Sequence, residues 1–356
     1  MRVCYFGTYD PVYTRNRLMI QGLRENEVEV MECRTPQNKN KIKKYRQLIS
    51  QHQKLKNDYE VMIVGFAGHA IMPLAWLLAK LNGKKLILDL FVSEYDSVVL
   101  DRKQVSKFSL KAFKFWLLDW FSCRLADLCL LDADEHINFF VKRFKIRKEK
   151  FKTILLSCDP KIFFPKPKPI SDKFIVHYHG SYSPIQGVSY IVKAAKILEN
   201  ENIHFNIIGK LKSHAKEISL AKEIGTTNVN FIDFMPYEKL ADQIASADIC
   251  LGMFGDTDKA MHCSAFKIVE AMAMRKAVVT GDTPALQEII TDGQTGLFCK
   301  MADAKNLADK ILELKNKPEL KEKIAEAGYQ FYLKNLTPKA TGARLVKIIK
   351  ELITKK

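Results

Sequence analysis

The sequence predicts an α/β protein built from two doubly wound, Rossmann-like halves. Three observations carry that expectation. Short apolar runs alternate with helical stretches through the first half, the signature of a mostly parallel sheet. The alternation breaks in the proline-rich stretch Asp159-Pro-Lys-Ile-Phe-Phe-Pro-Lys-Pro-Lys-Pro169 and then resumes. Glycine-bearing loops follow several of the runs, at the carboxyl edge where such sheets bind ligands.

Taken in order, strands are expected at 2–6, 28–33, 60–65, 85–91 and 128–132. Beyond the prolines they are expected at 174–179, 205–209, 229–233, 248–251 and 277–280. Helices close the chain at 304–316, 318–334 and 338–354. This gives a first domain over 1–165, a second over 166–337, and a terminal helix, 338–356, returning to the first. No repeat or low-complexity segment interrupts the pattern, apart from lysine runs.

Composition narrows the classes. A chain of 356 residues, 47% hydrophobic and 27% charged, is that of a soluble globular protein with room for two domains. Its eight cysteines stand singly, with no C-x-x-C pair, which suits a reducing, cytoplasmic setting. Arg2–Phe6 reads as a strand and not a leader, and no apolar run reaches membrane-span length. The net charge of +17 is the extreme value and implies an anionic partner. No nucleic-acid motif accompanies the charge, so none is expected as a partner.

The basic residues are concentrated. Residues 39–56 hold seven Lys/Arg and no acid. After Arg102, the residues Lys103, Lys107, Lys111 and Lys114 are expected on one helical stripe, beside Phe108, Leu110, Phe115, Leu117 and Phe121. Trp116 and Trp120 fall on the far face, toward the core. Lysines flanked by large apolar groups suit an anionic bilayer surface, reached from its cytoplasmic side.

The most informative stretch is 248–298. Its first strand ends in the loop Gly255-Asp-Thr-Asp-Lys-Ala-Met-His-Cys263. A helix is then expected from Ser264, as N-cap, to about residue 275, with Lys267 in its first turn. A helix N-terminus offers free N–H groups and a partial positive charge to phosphate. Lys267 adds a full charge, and Glu270, one turn on, can reach sugar hydroxyls.

Lys267-Ile-Val-Glu-Ala-Met-Ala273, Lys276-Ala-Val-Val-Thr-Gly-Asp-Thr-Pro-Ala-Leu-Gln-Glu288 and Asp292-Gly-Gln-Thr-Gly-Leu-Phe298 together resemble the donor-site core of glycosyltransferase family 4, or group 1. The resemblance implies the GT-B fold, with two Rossmann-like domains facing a cleft and a C-terminal helix crossing back. It implies retention of anomeric configuration, a nucleoside diphosphate sugar of UDP or GDP type as donor, and no cofactor. The first domain would then hold the acceptor, a lipid-linked saccharide or other envelope glycan. The chain departs from the family where an arginine and a lysine often neutralise the diphosphate, since Ser181 and Gln186 stand there. His262 replaces the first glutamate of the family's Glu–seven residues–Glu pattern. Lys267 is the expected substitute cation, with Lys210 and Lys259 as lesser candidates. These departures leave a catalytically impaired scaffold of the same fold as the rival reading. An oxidoreductase is excluded, because Gly-x-Gly-x-x-Gly does not follow the first strand.

The candidate nucleotide-sugar site therefore comprises Gly180, Ser181, Gly209, Lys210, Met235, Ser264, Ala265, Phe266, Lys267 and Glu270. Candidate catalytic residues are Lys267, Glu270, His262 and Asp89. Arg15 and Asn16, at the start of a helix capped by Thr14, are acceptor-side candidates, as are His69 and Asp96. Two Asp-x-Asp strings, Asp132-Ala-Asp134 and Asp256-Thr-Asp258, read as a helix cap and a loop, so no essential metal is expected.

Overall fold

The computed structural model describes residues 1–36, 40–213 and 215–354. The chain divides into two compact units, Met1–Ser157 with Thr337–Lys356, and Cys158–Leu336. The division comes just ahead of the proline-rich stretch. Cys158 is already buried in the second unit, its thiol 3.9 Å from the Val269 carbonyl.

The first unit holds a parallel sheet of β1 (Arg2–Gly7), β2 (Glu29–Arg34), β3 (Val61–Val64), β4 (Lys85–Asp89), β5 (Leu128–Leu131) and β6 (Phe151–Thr153). Their spatial order is β2-β1-β3-β4-β5-β6. Helices cover both faces, so a strand such as β3, Val-Met-Ile-Val, is apolar throughout and buried throughout. The second unit repeats the plan with β7 (Phe174–His179), β8 (Ile203–Ile208), β9 (Val229–Ile232), β10 (Ile249–Leu251), β11 (Ala277–Gly281) and β12 (Leu297–Cys299). Here the order is β12-β11-β10-β7-β8-β9. Strand order reverses between β1 and β3 in one sheet and between β7 and β10 in the other. Those reversals open crevices at the carboxyl ends of the strands.

The terminal helix Pro338–Thr354 packs within the first unit on the helix Thr14–Glu25. Two glycines permit that crossing. A Cβ on Gly342 would lie 2.2 Å from the Gly22 carbonyl oxygen, and one on Gly22 would lie 2.4 Å from that of Pro338. Leu345, Ile348 and Ile349 then bury themselves in the core beneath β1 and β3.

Several local expectations are corrected. The helix after β10 runs Phe266–Ala273, and Ala265, in extended backbone, takes the N-cap position without a side-chain bond. Ser264 therefore does not cap it. Likewise Tyr13, not Thr14, precedes the first helical turn of Thr14–Glu25. Asp132 does not cap the helix Asp134–Phe144; it lies 2.7 Å from His136 Nδ1, one turn into that helix. The four lysines are not one helical stripe. Their helix, Leu110–Leu125, begins only after Ser109, whose hydroxyl accepts from the Ala112 N–H at 3.1 Å. Lys103, at φ 50°, and Lys107 lie in the preceding turns. All four remain exposed. Phe115 packs inward with Trp116 and Trp120, whereas Phe113 turns outward. Among the described residues no helix is long and apolar enough to cross a membrane. Lys39 of the basic run lies outside the described residues, and the helix Lys41–Leu55 carries most of the rest.

Candidate functional site

The second unit brings most of the sequence candidates together at the reversal between β7 and β10. β7 ends in His179 and continues into Gly180-Ser-Tyr-Ser, and β8 ends in Ile208 and continues into Gly209-Lys210. These segments and the loop after β9 line a cavity of about 410 Å³. Its wall includes the expected Gly180, Ser181, Gly209, Lys210 and Met235. His179, Tyr182, Phe234, Tyr237 and Leu240 complete it and were not singled out from the sequence. Aromatic and aliphatic walls with a few polar groups suit a planar base.

The helix Phe266–Ala273 lies against the end of β7 and contributes Lys267 and Glu270. Lys267 is only 7% exposed. Its Nζ donates to Gln186 Oε1 and stands 3.9 Å above the centre of the Tyr178 ring. Tyr178 Oη is 3.0 Å from the Ser181 carbonyl and 3.2 Å from the same Gln186 oxygen. Burial pushes the Lys267 ammonium well below its usual range, with Glu270 pulling the other way. An anion entering here would meet a cation whose present partners are a neutral amide and a ring face. Gly180, at φ +148°, permits the close approach, since a Cβ on it would lie 2.8 Å from Lys267 Nζ.

Glu270 is almost fully buried, and its Oε2 accepts from His179 Nε2 at 2.7 Å. His179 Nδ1 is in turn 2.9 Å from His177 Nε2. Burial pushes His177 well below the ordinary histidine range, helped by His179, Lys267 and Lys276. Alternation along β7 puts residues 177 and 179 on one face, a signal present in the sequence but not used. His262 is buried on the loop leading to the helix, and Ser264 and Phe266 are half-buried there. Ser181 and Lys210 are exposed, and Lys259 is half-buried in the turn Asp258–Met261. That turn is capped by Thr257, whose hydroxyl accepts from Ala260, so Asp256 and Asp258 flank a loop as expected.

In the first unit the acceptor-side candidates and Asp89 are buried. Arg15 and Asp89 are buried together, with Nη2 3.0 Å from Oδ1, and Arg15 Nη1 donates to the Ile154 carbonyl at 3.0 Å. Burial outweighs this pairing and holds the Asp89 carboxyl above its ordinary value. A wholly buried carboxylate gripped by a guanidinium is poorly placed to take a proton from an acceptor. Asn16 Oδ1 accepts from Tyr5 Oη at 3.0 Å and from the Phe66 N–H at 2.8 Å. His69 and Asp96 are buried beside Asp119, with His69 Nε2 3.5 Å from Asp119 Oδ1. The loops after β1, β3 and β4 carry an aromatic cluster near the reversal of strand order between β1 and β3. Tyr13 lies 5.0 Å from Phe66, Phe66 lies 4.9 Å from Phe91, and Arg15 stands over Phe91.

Residues 160–331 match the family described as glycosyl transferases group 1. An alpha-D-kanosaminyltransferase of Streptomyces kanamyceticus is 26% identical over 189 residues, covering 51% of this chain and 47% of that protein. An uncharacterized glycosyltransferase of Methanocaldococcus jannaschii is 25% identical over 152 residues, 43% of this chain and 41% of its own. The chain thus spans less than half the length of each of these relatives. In fold, Anabaena HepE, solved in complex with UDP-glucose, superposes with a TM-score of 0.76 at 13% identity, covering 99% of this chain and 100% of that one. The match over 160–331, just under half of the chain, supports a group 1 glycosyltransferase, and the two parallel sheets have the GT-B fold.

Proposed function

We propose that the protein is a retaining, family 4 enzyme that moves a sugar from a nucleoside diphosphate sugar, of UDP or GDP type, to a lipid-linked or glycan acceptor. The observation that carries this reading is the β7–β8 cavity, with Lys267 packed directly behind Gly180 of its wall. Tyr182, Phe234, Met235 and Tyr237 would sandwich the base. Lys267 would leave Gln186 for the diphosphate, replacing a neutral acceptor by a charged one. Glu270 would accept a donor hydroxyl, and His262 would meet sugar or phosphate. Chemistry then rests on charge stabilisation of the departing diphosphate by Lys267 and the helix N-terminus. The crystallised complex of HepE with UDP-glucose supports a uridine donor. Transfer is expected to need no metal or cofactor. The exposed apolar and basic surface around Leu110–Leu125 supports work at the cytoplasmic face of an anionic membrane.

A screen of UDP- and GDP-sugars for binding and slow hydrolysis tests this reading. One donor should release its nucleotide, with EDTA present, and should do so poorly with Lys267→Ala. NMR of the product should show the donor's anomeric configuration kept. A folded protein that binds no nucleoside diphosphate sugar would be a scaffold instead.

A further inference from the structure

The pair of histidines on β7 has no place in the reading so far. We propose that His179, itself oriented by His177, positions Glu270 to read a hydroxyl of the donor's ribose; the inference rests on the nucleotide-sugar reading of this site. Hydrogen-bond accounting leads there. His177 is fully buried and its Nδ1 meets no partner among the described residues. A neutral imidazole carries one N–H. A proton on Nδ1 would leave a buried donor unpaired, which costs more than a bare lone pair with the rest of the chain satisfied. The proton therefore belongs on Nε2, where it donates to His179 Nδ1 at 2.9 Å. His179 must then carry its own proton on Nε2, pointed at Glu270 Oε2 2.7 Å away. Every proton in the chain has an acceptor, and the order runs one way, from His177 through His179 to Glu270.

The consequence for Glu270 is a fixed carboxylate. A glutamate has three side-chain torsions, and one hydrogen bond from a ring held at both ends removes most of that freedom. Oε2 is engaged, so Oε1 is the oxygen left to a ligand. His179 also lines the cavity, which places this support directly between the pocket wall and the helix Phe266–Ala273. His179 is thus a positioning residue, acting through Glu270.

The test is discrimination between nucleotides with and without ribose hydroxyls. UDP, GDP and their 2′,3′-dideoxy forms are titrated calorimetrically into the full chain. The better of UDP and GDP is expected to bind about tenfold tighter than its dideoxy form, the value of one hydrogen bond to a charged group. Glu270→Gln should erase most of that ratio. His179→Leu should lower the ratio to the same degree, and adding it to Glu270→Gln should lower the ratio no further, as expected of a residue that acts through Glu270. His179→Gln should recover much of the ratio, because its amide can still donate to Glu270. If His179→Leu does not fold, His179→Asn, which reaches toward His177 but falls short of Glu270, replaces it. A ratio lost in Glu270→Gln but kept in His179→Leu overturns the positioning role and leaves the site reading intact. A ratio kept in Glu270→Gln overturns both the role of Glu270 and this inference. Failure of the wild type to bind either nucleotide sinks the site reading, and the inference with it.

Discussion

Lys267 sits almost without solvent, facing the Gln186 amide and the Tyr178 ring. That arrangement makes it the residue on which donor affinity should turn. Lys267→Ala is expected to weaken UDP binding roughly tenfold to a hundredfold, the loss of a charge-assisted contact worth about 1.5–3 kcal/mol. Lys267→Arg should recover part of it. Burial lowers this ammonium's pKa, and a diphosphate bound beside it would raise it. UDP binding at pH 8.5, where the nucleotide is fully ionised, should therefore take up protons. Titration heats that do not depend on the buffer's own ionisation heat would contradict this. Much of the site could be read from the chain. Lys267 and Glu270 come from a helix-start pattern, and Gly180 and Gly209 from strand ends. In the sequence Gln186 is only a missing charge; its bond to Lys267 depends on a fold that brings residues 186 and 267 together. Arg15 and Asp89 look like site residues for the same reason. Sequence shows a charged residue at a strand end, but not that another charge lies buried beside it.

At the scale of elements, the long periodic segments and most strands matched expectation, and two of the shortest strands did not. The helices Ala304–Asn316 and Pro338–Thr354 stand where their pattern put them. β6 and β12, three residues each, have too few positions to show a period, whereas β10, equally short, is legible from the stretch 248–298 around it. Caps were misjudged at Ser264 and Thr14 because a hydroxyl is necessary for such a cap but the preceding backbone decides where the helix starts. Two elements carry sharp expectations. Gly342→Ala should force the helices Thr14–Glu25 and Pro338–Thr354 apart and cost roughly 1–3 kcal/mol, as other overpacked contacts do. Thermal melting and faster proteolysis of the terminal helix would report it; an unchanged melt would mean the crossing tolerates a methyl group. Asp119, on the helix Leu110–Leu125, accepts from Ser93 Oγ at 2.6 Å and from the Tyr95 N–H at 2.9 Å. Burial still pushes its carboxyl up to about 7, with Asp96 adding to the rise and the three donors from Ser93, Tyr95 and Glu94 opposing it. The folded state thus holds this proton more tightly than the unfolded one. Its contribution to stability is full below about pH 4 and is lost as pH rises toward 7. Asp119→Asn should flatten the stability profile over that window, by up to about 1.4 kcal/mol per pH unit relative to wild type. Parallel profiles for the two proteins would show that Asp119 is ionised throughout.

For the whole molecule the dominant fact is the net charge of +17, and its meaning depends on where the charges lie. Lys103, Lys107, Lys111 and Lys114 are all exposed, on the turns and the first turn or two of one helix. Among them stand Phe108, 95% exposed, and Leu110, 83% exposed, with Phe113, Leu117 and Phe121 also facing out. Trp116 stacks between Phe113 and Trp120, with ring centres 6.2 Å apart on each side, and stiffens the base of this surface. The single stripe expected from periodicity is absent, yet the combination that suggested a membrane survives its loss. Large apolar groups exposed to water are costly, and lysines around them are suited to lipid phosphates. Each lysine near an anionic bilayer is worth about 1 kcal/mol, an attraction that falls off within a Debye length. Changing all four to glutamine should therefore weaken binding to vesicles containing phosphatidylserine on the order of a hundredfold or more. Salt should weaken the wild type in the same direction. Phe108→Ser with Phe113→Ser should weaken it at every salt concentration, since the apolar contribution is not screened. Sedimentation with vesicles separates these contributions. Equal binding to neutral and anionic vesicles would remove the lysines from the account, and no binding to either would mean that this face serves something other than a membrane.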